Sequence, residues 1–262
     1  MDGYELLMNR KSIRAYEDRG ISSEVKEKIF QGIFRAPTAG NMMLYSVIEV
    51  REQEKKNILS KTCDNQPFIA TAPLVLVFLA DYERWFRYFE YSGVKQKCIL
   101  KNIDMRNPDV GDLLLACCDA LIAAQNCVIA CESLGLGSCY IGDIIENYEV
   151  HKELFNLPKY AFPIAMLCIG YPTPNQVIRK KPKRFKEEFI LFKDKYIDID
   201  DEFLKKFDED AVSVRGGASF PKGIENFGQQ VYFRKFGAEF SEEMSRSANK
   251  ILQEWKVAMN NE

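Results

Sequence analysis

The chain has 262 residues, 47% of them hydrophobic and 28% charged, with a formal net charge of −2. These are ordinary globular values, and a chain of this length can bury a sizeable core without disulfides or a metal. The charge argues against a nucleic-acid-binding protein, whose footprint is a strongly basic field, but leaves room for a local basic pocket.

The opening, MDGYELLMNRKSIR, has acids at Asp2 and Glu5 and no apolar stretch of the signal-peptide kind, so a cytoplasmic location is expected. Residues 2–10 predict a short helix, followed by the loop Arg10-Lys11-Ser12-Ile13-Arg14. Ser22 or Ser23 can cap a helix running to about Arg35, with Glu24 in its first turn. Pro37 and Gly40 then mark a loop. Tyr45–Arg51 alternates as a strand does, and Glu52–Lys61 is polar enough for a surface helix.

Pro73–Ala80 is a continuous apolar run, the pattern of a strand buried on both faces. Residues 81–110 show no clear period and are long for a plain connection, which predicts a lid or excursion. From about Asp112 to Leu134 the chain is apolar nearly all round and ends at Gly135, a C-cap signal. Asp119, Gln125 and Asn126 interrupt this window, so a buried helix fits it better than a membrane span. Cys139–Ile141 predicts a short strand, Asn147–Phe155 a helix, and Pro163–Tyr171 a second buried strand. Beyond Pro172 come a basic cluster, an acidic stretch near Asp198–Asp210 and a helical end, Ser241–Met259. The order of elements predicts an α+β fold with a central mixed sheet flanked by helices. Two parts are expected, residues 1–190 and a C-terminal extension, residues 191–262.

No CxxC pair occurs among the eight cysteines, and most lie in apolar runs, as reduced, buried thiols do. Cys127 and Cys131 read as packing. The single histidine, His151, has no Cys or His partner at ligand spacing, so no metal site is expected.

Five segments can carry chemistry. Arg10, Lys11, Ser12 and Arg14 offer three cations and a hydroxyl within five residues, suited to a phosphate dianion or to a solvated basic turn. Arg179–Lys186 holds six basic residues in eight positions directly after a buried strand. It reads either as a second arm on the same anion or as an exposed charge run. Gly135–Asp143 fits neither the dinucleotide nor the Walker loop, because Tyr140 stands where the first needs glycine and no GK[ST] follows. A tight turn, a short strand and a glycine open to another group remain, or a plain connection. Ala36–Met43 is a small, polar loop. Gln66 offers a donor and an acceptor to a ring edge.

Taken in order, these segments resemble the FMN-dependent nitroreductase family. Arg10-Lys11-Ser12-Ile13-Arg14 looks like that family's Arg-Arg-Ser-x-Arg opening. The Ala36-Pro37-Thr38 loop, the strand Pro73–Ala80, Gly135–Asp143 and the basic cluster after Gly170-Tyr171-Pro172 fall where the family has their equivalents. The subgroup is the larger one of oxygen-insensitive nitroreductases and flavin reductases with a C-terminal extension. The match is close over about residues 1–190 and loose beyond.

The resemblance implies an intertwined homodimer with an FMN at each of two interface sites. Arg10, Lys11 and Ser12 would hold the FMN phosphate, with Lys181, Lys183 or Arg184 returning to it. Arg14 would lie by the ribityl chain and the N1–O2 edge, where a cation favours the reduced ring. Thr38 and Asn41 would come from the other subunit. Gln66 would meet the pyrimidine edge, and the backbone of Tyr140, Ile141, Gly142 and Asp143 would face N5. Lys11 departs from the commoner Arg, and Asp143 stands where a small residue is frequent. FMN carries the hydride, so no catalytic side chain is expected. NADPH or NADH would reduce it, and a nitroaromatic, a quinone or free flavin would accept the electrons by a ping-pong mechanism. Arg215, beside Gly216 and Gly217, would meet the 2′-phosphate of NADPH or else be a solvated loop residue. The competing readings are a non-catalytic flavin-binding or sensor protein, a reductive dehalogenase or flavin-fragmenting relative on the same fold, and a nucleotide-phosphate-binding regulatory module. No nucleic-acid or membrane partner is expected.

Overall fold

The run Pro73–Ala80 does become a doubly covered strand. In the computed structural model, which describes residues 2–216 and 220–256, Leu74–Asp81 (β2) is buried at all 8 positions. It pairs into a sheet with Tyr45–Glu49 (β1), Gly137–Ile141 (β3) and Ala161–Gly170 (β4), in the order β1-β2-β4-β3. The α+β class holds, but the expected mixed sheet does not: each neighbouring pair of these strands is antiparallel. Among the described residues, parallel pairing is confined to an isolated bridge between Ser12 and Ser138. Continuous apolar runs are usual in parallel sheets because helices cover both faces. Coverage sets that composition, whatever the direction of the neighbouring strand.

The pleat sends alternate β2 side chains to opposite cores. Leu74, Leu76 and Phe78 join Ile29, Ile33 and the helix Val110–Ser133 on one face. Val75, Val77 and Leu79 join Leu59, Cys63 and Ile69 on the other. Pro163, which has no N–H to donate, lies where the β2–β4 register slips beside Leu79, a place where a central strand tolerates proline.

Val110–Ser133, the central helix, starts from an Asp109–Asp112 capping box and ends before Gly135, whose φ is +75°. By length and composition it could cross a membrane. Here it is the core helix of one sheet face, and the carboxylate of its buried Asp119 is bonded to backbone. It packs so closely on the helix Ser23–Phe34 that a Cβ at Gly32 would lie 2.8 Å from that of Ala130.

Residues 81–110 contain two helices, Glu83–Tyr91 and Val94–Leu100. Phe86 of the first packs edge-on to Tyr160, which meets Trp255 in the same way.

The chain divides into two compact units, Met1–Arg179 with Glu243–Glu262, and Lys180–Glu242. A division after residue 190 was expected. The basic cluster beyond Arg179 instead belongs to the second unit, and the end of the chain to the first. Apolar anchors account for that return: Ile251 and Trp255, on the helix Glu239–Lys256, are buried in the first unit's core. Positions 257–259 of the expected final helix lie outside the described residues. In the second unit, Asp200 caps the helix Asp201–Arg215, whose Phe203 and Phe207 pack against Phe189.

Candidate functional site

The basic loop at residues 10–14 is laid along β3, the edge strand. Ile13 N donates to Ser138 O at 2.9 Å, and the Tyr16 hydroxyl sits 2.8 Å from Ile13 O and 2.9 Å from Cys168 O. Two glycines make the approach possible. A Cβ at Gly137 would lie 2.4 Å from Ile13 Cγ1, and one at Gly170 would lie 2.7 Å from the Tyr16 ring. No larger residue fits either place without moving the arm.

This arm brings four expected residues to the start of β3. Arg10, Lys11 and Ser12 are half-buried and Arg14 is exposed. Lys11 Nζ donates to Val177 O at 2.6 Å and Arg179 O at 2.5 Å, so two of an ammonium's three donors already strap the arm to the segment after β4. Arg179 donates in turn to Ser12 O. Arg14 N donates to Gln176 Oε1 at 3.4 Å.

Two polar groups that sequence reasoning missed stand here. Ser138 is fully buried, and its Oγ has no hydrogen-bond partner. Glu132, in the last turn of the central helix, likewise has an unpartnered Oε1. Burial raises its pKa, while the charges of Arg10 and Lys11 act to lower it. Ser138 lies within the Gly135–Asp143 segment but had no role of its own there, and Glu132 belongs to no motif, because each is brought to the arm only by the packing of helix and sheet.

At its far end β3 presents the second group. Ser138 to Gly142 is a strand length of about 13 Å. Gly142 is exposed, and a Cβ built on it would meet nothing within 4 Å. Asp143 opens a 3₁₀ turn, Asp143–Ile145, and its Oδ2 accepts from Gln66 Nε2 at 2.7 Å. Gln66 also donates from Nε2 to Cys63 O at 3.0 Å. Gln66 is thus bonded to Asp143 just beyond the end of β3 that holds Tyr140 and Ile141. Burial raises the Tyr140 pKa, so its hydroxyl keeps its proton.

The remaining expected residues belong to other segments of the chain. Thr38 and Asn41 are on the loop before β1, where Ala39 N and Leu44 N donate to the two Asp119 oxygens at 3.0 Å each. Thr38 Oγ1 accepts from Met43 N at 3.2 Å. Asp119 is three to four helical turns before Glu132, a distance of about 20 Å along the axis, so this loop and the basic arm of the same chain do not meet. Lys181, Lys183 and Arg184 belong to the unit Lys180–Glu242, in which Lys183 Nζ donates to Ser213 Oγ at 3.4 Å. Arg215, in the same unit, is the last residue of its helix, with its guanidinium 3.9 Å above the Phe220 ring. Gly217 lies outside the described residues.

His151 holds the fold. It is fully buried, with Nδ1 2.9 Å from Ile144 O and Nε2 2.8 Å from Thr62 Oγ1. Burial lowers its pKa and keeps the ring neutral.

The arm, β3 and the Gln66–Asp143 pair all fall within residues 7–171, the stretch matched by the model of the nitroreductase family. The chain belongs to the nitroreductase family. As such it is similar to a Cr(VI) reductase of Pseudomonas sp. (strain G-1), 31% identical over 87% of this chain and 89% of the relative. It is also similar to an FMN reductase [NAD(P)H] of Bacillus subtilis (strain 168), 28% identical over 94% of this chain and 96% of the relative. The solved NfrA1 nitroreductase of B. subtilis superposes with a TM-score of 0.81 at 24% identity, covering 97% of this chain and 98% of that one. At that identity the likeness speaks for the nitroreductase fold alone.

Proposed function

We propose that this nitroreductase-family chain is an FMN-dependent oxidoreductase. It takes hydride from NADPH or NADH and delivers it to nitroaromatics, quinones or free flavin, the two substrates using one pocket in turn. The observation that carries this reading is the two-ended arrangement along β3. A cationic arm beside a buried hydroxyl without a partner stands at one end. A glycine with open space before it and a Gln66–Asp143 pair stand at the other. The residues fit FMN: a phosphate oxygen answers the Ser138 hydroxyl and the Arg10 fork, and a planar ring can approach the Gly142 backbone. The names of the relatives, FMN reductase and Cr(VI) reductase, support the same chemistry.

In this reading Arg10, Ser12 and the remaining Lys11 donor hold the phosphate, and Arg14 lies by the ribityl chain and the N1–O2 edge. Gln66 meets the pyrimidine edge, and the backbone of Tyr140–Asp143 lines N5. FMN, when bound, supplies the redox chemistry, and these side chains bind and orient it. Thr38 and Asn41 reach the site from a second copy, which makes the protein a homodimer. The separation of their loop from the basic arm within one chain supports this. The roles of Lys181, Lys183 and Arg184 at the phosphate, and of Arg215 at the NADPH 2′-phosphate, rest on the family resemblance. A cytoplasmic location belongs to the same reading.

The visible spectrum of the purified protein, before and after NADPH or NADH without oxygen, tests it. A yellow protein that bleaches on adding the nucleotide is expected. Protein that neither carries nor takes up FMN overturns the reading. Yellow protein that neither nucleotide bleaches is a flavin-binding protein without this activity.

A further inference from the structure

Behind Asp143, at the proposed ring edge, lies a carboxyl group that the reading above leaves unused. Glu146 follows the 3₁₀ turn Asp143–Ile145, with its N–H donating to Asp143 O at 3.1 Å. Residues three apart eclipse on such a turn, which sets the two carboxyls on the same side of it. Asp143 is half-exposed, whereas Glu146 is only 4% exposed, and its Oε1 has no partner.

The charges acting on Glu146 from the surrounding elements are negative: Asp143 on its own turn, Asp64 on the loop after the helix Gln53–Thr62, and Glu243 on the final helix. Arg246, a cation on that helix, is engaged with Glu149 and Glu243. His151, bonded to Ile144 O within the turn, is neutral. Among the described residues, no group of these acidic side chains is disposed to hold a metal ion. A proton is the remaining way to relieve a buried carboxylate beside another carboxylate.

We propose that Asp143 and Glu146 together hold one proton at neutral pH, and that this pair supplies the proton that accompanies hydride to the acceptor. The placement at the ring edge rests on the function proposed above. For a quinone, the acceptor gains a hydride from the reduced cofactor and a proton from the pair. One N–H bond and one carboxyl O–H bond break, and two O–H bonds form on the hydroquinone. Two electrons pass from the cofactor to the quinone, and the pair, left as two carboxylates, takes a proton back from water. Asp143, bonded to Gln66, faces outward, and Glu146 is the store behind it. Burial and the three acids push the Glu146 pKa up to about 8, in agreement with this arrangement.

The test combines infrared spectroscopy, stability and kinetics on the full protein. Wild type should show a protonated-carboxyl band at pH 7 that Glu146→Gln removes. Raising a carboxyl's pKa on folding gives stability that is complete at low pH and is lost as pH rises toward 8. The Tm of Glu146→Gln should therefore gain on wild type from pH 5 to pH 9. Reoxidation of the reduced protein by a quinone should fall above about pH 8 in wild type, and Glu146→Gln should be slower by about a hundredfold, with that limb absent. Asp143→Asn, which keeps an oxygen for Gln66, should move the limb to lower pH. A missing band together with parallel Tm profiles overturns the pair. An unchanged reoxidation profile in both variants overturns the delivery. If the protein binds no FMN while the band and the Tm profile are as described, the flavin reading fails and the shared proton survives.

Discussion

Ser138 has no hydrogen-bond partner for its hydroxyl, although the residue is fully buried. Such a group costs about 1–3 kcal/mol of desolvation when left alone, and its place beside the arm at Ser12 supports the proposal that the phosphate is held there. Each charge-assisted contact to a phosphate contributes roughly 1.5–3 kcal/mol. The double variant Arg10→Ala/Ser12→Ala should therefore bind FMN at least about tenfold more weakly, measured by quenching of flavin fluorescence. An unchanged Kd would move the phosphate to another place. Residue type and spacing alone singled out Arg10, Ser12 and Arg14. Ser138, Glu132 and Glu146 carry no such signal, since a buried serine or glutamate shows its missing partner only after its neighbours are known.

Among the elements, the loop before β1 depends on the central helix. Residues 40, 41 and 43 all have positive φ, at 54°, 57° and 50°, a conformation costly outside glycine. Bonds from Ala39 N and Leu44 N to Asp119 hold it. Asp119→Ala strands both donors and should lower unfolding free energy by roughly 2–4 kcal/mol, read as a lower urea midpoint at unchanged slope. Equal midpoints would mean that the loop is held by other contacts. Asp119 entered the sequence reading only as a polar interruption that argued against a membrane span, because its two partners lie 75 and 80 residues away in the chain. Residues 81–110 were opaque for a related reason. Their helices are short: Glu83–Tyr91 turns Trp85, Phe86 and Phe89 to the core, but its nine residues are too few for that period to stand out against the irregular stretch that follows.

For the whole molecule, the central helix poses the question of a partner. One side is packed on the sheet, while Leu114, Leu115, Leu121 and Ile122 are 61%, 44%, 43% and 40% exposed. An apolar surface of this kind is usual at an obligate interface. Sedimentation should give a dimer across the micromolar range. A stable monomer that still holds FMN would sink the proposal that Thr38 and Asn41 serve a second copy's site.

Pattern and punctuation were enough for what depends on near neighbours: the buried strands β2 and β4, the central helix with its Gly135 stop, and the basic arm. Apolar runs, glycine and clustered charge act over a few residues, so they are legible without a fold. Strand direction, the division at Arg179, the strapping of Lys11 to Val177 and Arg179, and the stacking of Glu146 behind Asp143 were decided by the tertiary structure. Each depends on which distant segment a stretch pairs with or is covered by. Burial, and the unpaired or shared protons that follow from burial, belong to the packed chain and not to any stretch of residues.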